Sequence, residues 1–469
     1  MENETCATIV SLFCANIEDL NAVKLERKFH LAPKLTASDI VLTKDEYTFH
    51  RECLIYAVLW ITVQYEGSRL QAFWKDLLAM EPCSDFRIKV HKSQIYPLLA
   101  MNINEASTTG NAEVIDAVME ELNVDTLKPN FCKNLKLIAG DQLSIACLRA
   151  VLAARAGNKS GASSLWWAIF VPGLFHCKIA ATNSFIQTHF GQPNHDLKDL
   201  ASLSSHNTLL QRKPIVLSSL PPFHTCRNLI FISLYACVLH CLLKVSGTQS
   251  LDSSSDGLTW DGLCGYAEAV IDSFSDGRLV NQLCWSCTWE TAACGTQERD
   301  RLAGDMIFEN AVLFLQDELI LREFSDAIKS GDSGHILLVL KLWALSFRGS
   351  GRAKYAYEVL YLLHNVTHVW PKPVVFVIFL VVCIVDNSIC RKVILNNWLV
   401  NPTGKANSFV ELDLMQEHLN YWIKVRGCCM CSLVHSQTTP DRTITKCTAA
   451  VHHESGSQRS CLVSKFFGD

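Results

Sequence analysis

The chain has 469 residues, 49% of them hydrophobic and 19% charged, with a formal net charge of −4. That balance excludes a disordered chain, and the lack of basic excess excludes a protein built to coat nucleic acid, leaving room only for a local basic patch. At this length the chain can bury one large core or divide into two or three domains, since single cores stop growing at roughly 250–300 residues.

Residues 1–50 are weakly patterned, and the start Met1-Glu2-Asn3-Glu4-Thr5 has neither the positive charge nor the apolar core of a secretory signal. An intracellular protein with reduced thiols is therefore expected. The 21 cysteines form an odd set, and several (Cys53, Cys147, Cys237, Cys241) sit singly in apolar stretches, where a thiol behaves as a small hydrophobe. From Arg51 to Leu78 the spacing of Leu54, Val58, Leu59 and Val63 predicts a helix. Gln94–Met101 reads as a strand that Pro97 confines to an edge. A turn at Thr108–Asn111 leads into an amphipathic helix over Ala112–Leu122.

Two strand-turn-helix units follow. Leu135–Ala139 is a short apolar strand stopped by Gly140, with a helix over Asp141–Ala156 behind it. Leu165–Val171 is a second strand, Pro172-Gly173 its turn, and helical spacing resumes over Leu174–Phe190. Beyond this the chain reads as helical, with a Ser/Asp/Gly-rich loop or boundary at Ser246–Gly257. Asp305–Ser330 predicts a helix ended by Gly331, and Asp332-Ser333 offers an N-cap for Gly334–Phe347. A further helix covers Lys354–His364, before the Pro371-Lys372-Pro373 breaker. The expected fold class is mainly α (α+β), a helical protein with a small buried sheet around residues 135–139 and 165–171. The longest apolar run, Val374–Val385, has twelve residues against the about 20 that a bilayer needs, so no membrane partner is expected.

Five groups of residues suit chemistry. Asp141 follows a buried strand, where its carboxylate can face a ligand crevice, or it simply N-caps the next helix. His176 sits at the same end of the second strand, as a base or ligand, or as a packed core residue. The glycine-rich link Arg348-Gly349-Ser350-Gly351-Arg352-Ala353-Lys354 is the densest basic patch, an anion site or an ordinary turn with a cationic rim. Asp413 and Glu417 lie four apart and share a helix face, a pairing that can hold a divalent cation and that exposed helices also carry idly. Cys284, Cys287 and Cys294, with the tail set Cys428, Cys429, Cys431, Cys447, His452, His453 and Cys461, lack paired knuckles at normal separation, so zinc is not expected.

At these residues the chain resembles the basidiomycete-expanded domain-of-unknown-function family 6589. The resemblance rests on Gly140-Asp141-Gln142-Leu143 with Arg149, on Val171-Pro172-Gly173-Leu174-Phe175-His176, and on Gly304-Asp305. It continues through Gly331-Asp332-Ser333-Gly334, Arg348-Gly349 to Lys354-Tyr355, Leu399-Val400-Asn401-Pro402-Thr403-Gly404 and Gln416-Glu417-His418-Leu419-Asn420. These blocks span Ile95–Lys424. A family-like domain over 91–424 is thus expected after an N-terminal helical region over 1–90. Two segments depart from the pattern: an apolar insert over 375–392 that resembles a translated intron, and a divergent tail over 425–469, expected to be poorly ordered.

The family carries no established activity, so function rests on the residues. One reading is a metal-dependent nuclease or transposase-like protein, or its relic, of ribonuclease-H-like ancestry. Asp141 and Glu417 would hold Mg2+ or Mn2+, with Asp413 a third acid and His176 assisting, while Arg348, Arg352 and Lys354 steady the phosphates of a nucleic-acid partner. The other reading is a non-catalytic helical binding or scaffold protein, in which Asp141 and Asp332 are caps, His176 is packed and the glycine link is a turn. A third is that this copy makes no functional product.

Overall fold

The computed structural model describes residues 5–13, 29–128, 131–132, 135–155, 161–191, 200–219, 221–249, 257–282, 306–370 and 394–421. The suspected insert, the divergent tail and both cysteine groups with zinc-like spacing lie outside them. The protein is mainly helical, with three two-stranded sheets among the described residues.

β1 (Thr8–Val10) pairs antiparallel with β2 (Ile95–Pro97), so the weakly patterned start supplies the partner of the proline-containing strand. After a short helix α1 (Ala37–Ile40), α2 runs Lys44–Tyr65. It begins earlier than Arg51 because Thr43 and Glu46 form a reciprocal capping box: Thr43 Oγ1 accepts from the Glu46 amide at 3.2 Å, and Glu46 Oε2 accepts from the Thr43 amide at 2.9 Å. It also stops short of Leu78, at Glu66-Gly67, and the chain re-forms as the short α3 (Trp74–Ala79). α4 covers Thr108–Glu121, and the expected turn at Thr108–Asn111 is its first turn. Gly110 reads locally as a breaker, yet the Asn104 carbonyl oxygen would lie 1.8 Å from a Cβ there, so glycine serves a close approach.

Both strand-turn-helix units form, each strand displaced slightly toward its turn. β3 (Lys136–Gly140) and β4 (Ala168–Pro172) pair in parallel, Lys136 opposite Ala168 and Gly140 opposite Pro172. β4 is buried throughout, as a parallel strand covered on both faces should be, whereas β3 is only half-buried. β4 starts at Ala168 because Leu165 takes a left-handed φ of 57° and Trp166-Trp167 form a turn. α5 (Gln142–Ala154) and α6 (Leu174–His189) lead away from the carboxyl ends of the two strands.

The remaining helices build the core: α7 (Leu203–Leu209), α8 (Phe223–Ser246), α9 (Trp260–Phe274), α10 (Met306–Ser330), α11 (Ser333–Gly349) and α12 (Ala353–His364). α8 ends on Gly247 in the left-handed conformation, where the Ser/Asp/Gly-rich loop opens, and α10 ends at Gly331 with φ of 78°. α12 continues past His364 into a π-turn over Asn365–Val369. Trp343 of α11 sits among Phe185, Phe324 and Phe347 at the centre of the packing. α8 is long and apolar enough to cross a membrane by length and composition. Here it packs against α2, α6, α7, α9 and α10, with Leu229, Ile230, Leu234, Val238 and Leu242 inaccessible. Charged and polar residues such as Arg227 and His240 interrupt it, so it contains no long unbroken apolar run.

Finally β5 (Leu399–Val400) and β6 (Val410–Glu411) pair antiparallel, and β6 passes directly into α13 over 412–421. The loop between them closes on Asn401, whose Oδ1 accepts from the Gly404 amide at 2.8 Å and whose Nδ2 donates to the Lys405 carbonyl at 2.8 Å.

Candidate functional site at the carboxyl end of the parallel strands

The two strand-to-helix turns lie side by side, tied by the Gly173 amide donating to the Gly140 carbonyl at 2.8 Å. Each turn presents the N-terminus of a helix, whose first amides lack intrahelical partners and carry partial positive charge. Asp141 serves the first: its Oδ1 accepts from the Ser144 amide at 2.7 Å. At the second turn the N-cap position is Gly173, which has no side chain to offer. The missing acceptor comes from Asp413 in the first turn of α13. Its Oδ1 accepts from the Phe175 amide at 3.0 Å and its Oδ2 from the His176 amide at 2.9 Å. A Cβ at Gly173 would stand 2.3 Å from Asp413 Oδ2, so the glycine is what lets this carboxylate dock.

His176 is held by the same acid, its Nδ1 lying 3.0 Å from Asp413 Oδ2. This contact raises the imidazole's pKa above its ordinary value, and the charges of Asp413, Asp141 and Glu417 push the same way against partial burial. His176 is thus neither packed nor isolated: it stands at the rim, a quarter exposed, inside the field of three carboxylates.

The acids differ in what they have left to give. A carboxylate offers about four lone-pair sites. Asp413 is buried and uses three, so it positions; Asp141 uses one, and the exposed Glu417 makes no hydrogen bond among the described residues. Unused acceptor sites therefore remain on Asp141 and Glu417.

The glycine link is partly gathered to this place. Gly351 is left-handed with φ of 76°, and the Arg352 amide donates to the Phe347 carbonyl at 2.8 Å, so part of the turn's backbone closes α11. Arg352 donates to Gln187 Oε1 at 2.7 Å. Tyr355, just beyond it, has its hydroxyl pKa pushed up to about 12 by burial and by the charges of Cys177, Asp141 and Asp413, with Arg352 opposing. Lys354 is exposed and lines a groove of about 490 Å³ between α5 and α12, with Gln142, Arg149, Tyr357 and Glu358. Arg348 is exposed on the last turn of α11, and no contact joins it to the acids among the described residues.

Sequence reasoning missed the groove's wall. Arg149 forms a buried ion pair with Glu358, and its guanidinium lies 4.6 Å from the ring centre of Tyr361. It also missed the Lys178–Glu411 pair beneath Asp413, and Trp398 Nε1, which donates to the Pro172 carbonyl at 3.3 Å. Only Arg149 carried a signal, as part of the Gly140–Leu143 resemblance.

The sequence profile of the family of unknown function DUF6589 matches residues 29–459. The chain belongs to this family. The match extends beyond Ile95–Lys424 in both directions, taking in α2 as well as the two turns. Neither a curated protein nor a solved structure matches the chain. Membership of DUF6589 carries no activity with it, so function must be argued from the rim itself.

Proposed function

We propose that this DUF6589 protein is an intracellular, divalent-cation-dependent protein acting on the phosphodiester backbone of nucleic acid, of the nuclease or transposase-like kind. The observation that carries the reading is Asp413 holding the His176 imidazole beside the Asp141 cap at the carboxyl end of two parallel strands, with the charges of Asp141 and Glu417 acting on the same ring. The carboxyl ends of parallel strands are where such folds bind ligands.

Asp141 and Glu417 are hard oxygen donors and suit Mg2+ or Mn2+. Such an ion would polarise a phosphoryl oxygen and activate water. Asp413 holds the Nδ1 edge of His176, leaving Nε2 as the atom that hands a proton to the departing oxygen; the contact with Asp413 raises the imidazole's pKa and so favours its protonated form. Lys354 supplies a charge-assisted contact to phosphate along the groove, with Arg352 beside it in the glycine link and Arg348 farther out.

Isothermal titration with Mn2+ tests this. Asp141→Asn keeps a capping side chain but removes the charge. Loss of Mn2+ binding in Asp141→Asn and in Glu417→Gln, with the fold intact, is the expected result. Equal binding in all three proteins would sink the reading.

A second reading, a non-catalytic helical binding or scaffold protein, is favoured by one observation: Asp141 and Asp413 both cap helices, which accounts for them without chemistry. It predicts no specific Mn2+ binding.

A further inference from the structure

Away from the rim, three core helices bring a different donor set together. Cys53 lies on α2, Glu323 on α10 and His335 in the first turn of α11, all buried, with one donor atom from each within 4.8 Å of the others. Cys53 Sγ is 3.9 Å from each ring nitrogen of His335, and His335 Nδ1 is 2.8 Å from Glu323 Oε1. That close approach lacks the direction of a hydrogen bond, and Oε1 accepts none. His50 lies one helical turn before Cys53, on the same face of α2. It is only 7% exposed, its Nδ1 has no hydrogen-bond partner, and the charges of Glu323 and His335 reach it.

Buried polar atoms without partners are costly, and the two on these neighbouring helices, Glu323 Oε1 and His50 Nδ1, point to a missing partner. A tetrahedral zinc site, with Zn–S of about 2.3 Å and Zn–N of about 2.0 Å, has ligand-to-ligand edges of about 3.3–3.5 Å. The observed 2.8 and 3.9 Å bracket those edges. Behind His335 stands Asp332, whose Oδ2 is 3.7 Å from Nε2. Asp332 is itself fixed by the amides of Ser84, Gly334 and His335 at 2.8, 3.0 and 3.2 Å. At 3.7 Å this carboxylate adds negative charge behind the imidazole without hydrogen-bonding to it.

We propose that Cys53, Glu323 and His335 are the three protein donors of a buried structural site for a zinc-type divalent cation that fastens α2, α10 and α11 together. Binding displaces the Cys53 thiol proton to solvent. The resulting thiolate and the Glu323 carboxylate then neutralise the ion, the balance that a dry interior requires. This donor set is separate from the Cys284–Cys294 and tail cysteines, and the proposal is independent of the function proposed for the rim.

The test uses the full-length chain, dialysed against a weak chelator and assayed for metal by elemental analysis, then reloaded with Co2+. The expected results are one ion per chain and a thiolate-to-cobalt absorption band, both lost in Cys53→Ser. Retention should fall at least tenfold in Glu323→Gln and be unchanged when Cys284 and Cys287 are both replaced by serine. A band that survives in Cys53→Ser, or disappears with Cys284 and Cys287, overturns the proposal. Because Cys53→Ser could unfold the core, the wild-type protein provides a second measurement: its thermal midpoint should rise with added Zn2+ and fall with chelator. A folded wild-type chain with no bound ion and an insensitive midpoint also overturns it.

Discussion

At the rim of β3 and β4, buried and half-buried charges are met by partners the fold itself supplies: helix-end amides for Asp141 and Asp413, an acid for His176, Glu358 for Arg149. Between α2, α10 and α11, Glu323 Oε1 and His50 Nδ1 have no hydrogen-bond partner; at the rim Arg149 Nη1 and Glu358 Oε2 lack one too, but there the two permanent charges neutralise each other. The contrast separates two kinds of site. At the rim most of the electrostatic cost is already offset, so a cation there would be an exchangeable addition for which Asp141 and Glu417 keep donor sites open. In the interior the offset is incomplete, and an ion would be part of the folded structure.

Breaking a completed rim partnership should therefore be costly. The largest effect is expected from Glu358→Ala, which leaves the Arg149 guanidinium buried without its counter-charge; urea unfolding should show a loss of about 3–5 kcal/mol. Gly173→Ala should come next, at about 1–3 kcal/mol, because the new methyl group displaces Asp413 from the α6 N-terminus. NMR titration of the same variant should show the His176 pKa moving back toward its ordinary value.

Removing a cap should cost less. Asp141→Ala is expected to lose about 1 kcal/mol in urea unfolding, and Asp141→Asn close to none, since asparagine caps as well as aspartate. The pH dependence sharpens the comparison further. His176 has a folded-state pKa above its ordinary 6.5, so the stability drawn from its contact with Asp413 is fully present below 6.5 and lost as pH rises through the raised value. Urea midpoints should therefore fall over that window more steeply in the wild type than in His176→Gln. The smallest effect is expected for Glu417→Gln. Its side chain is exposed, so stability should stay within about 0.5 kcal/mol, and a change in Mn2+ titration alone would mark it as a ligand.

Much of the secondary structure was legible because its signals are local. Gly140-Asp141 and Pro172-Gly173 mark the strand ends, and Asp332 and Gly331 mark a helix start and stop from their own side-chain and backbone preferences. Where reading failed, a local signal was overlooked or a distant contact intervened. Thr43 with Glu46 announces the start of α2 at Lys44, ahead of the apolar periodicity read from Arg51, and Gly110 is explained only by a carbonyl packed against it.

The site divides along the same line. Asp141, His176, Asp413 and Glu417 stood out in the sequence as polar residues at element ends, and Arg352 and Lys354 as a basic link. Nothing in their order shows that Asp413 would cap a helix begun more than two hundred positions earlier, or that Arg348 would stay apart. The interior cluster was less visible still, since Cys53, Glu323 and His335 each sit in an ordinary amphipathic or apolar helix and match no spacing rule. By itself the sequence determined a helical protein, its two strand-turn-helix units and the residues at their ends, because capping and periodicity act over a few residues. Which acids share an imidazole, and which donors meet in the core, only the tertiary structure decided, because those contacts depend on how whole helices pack.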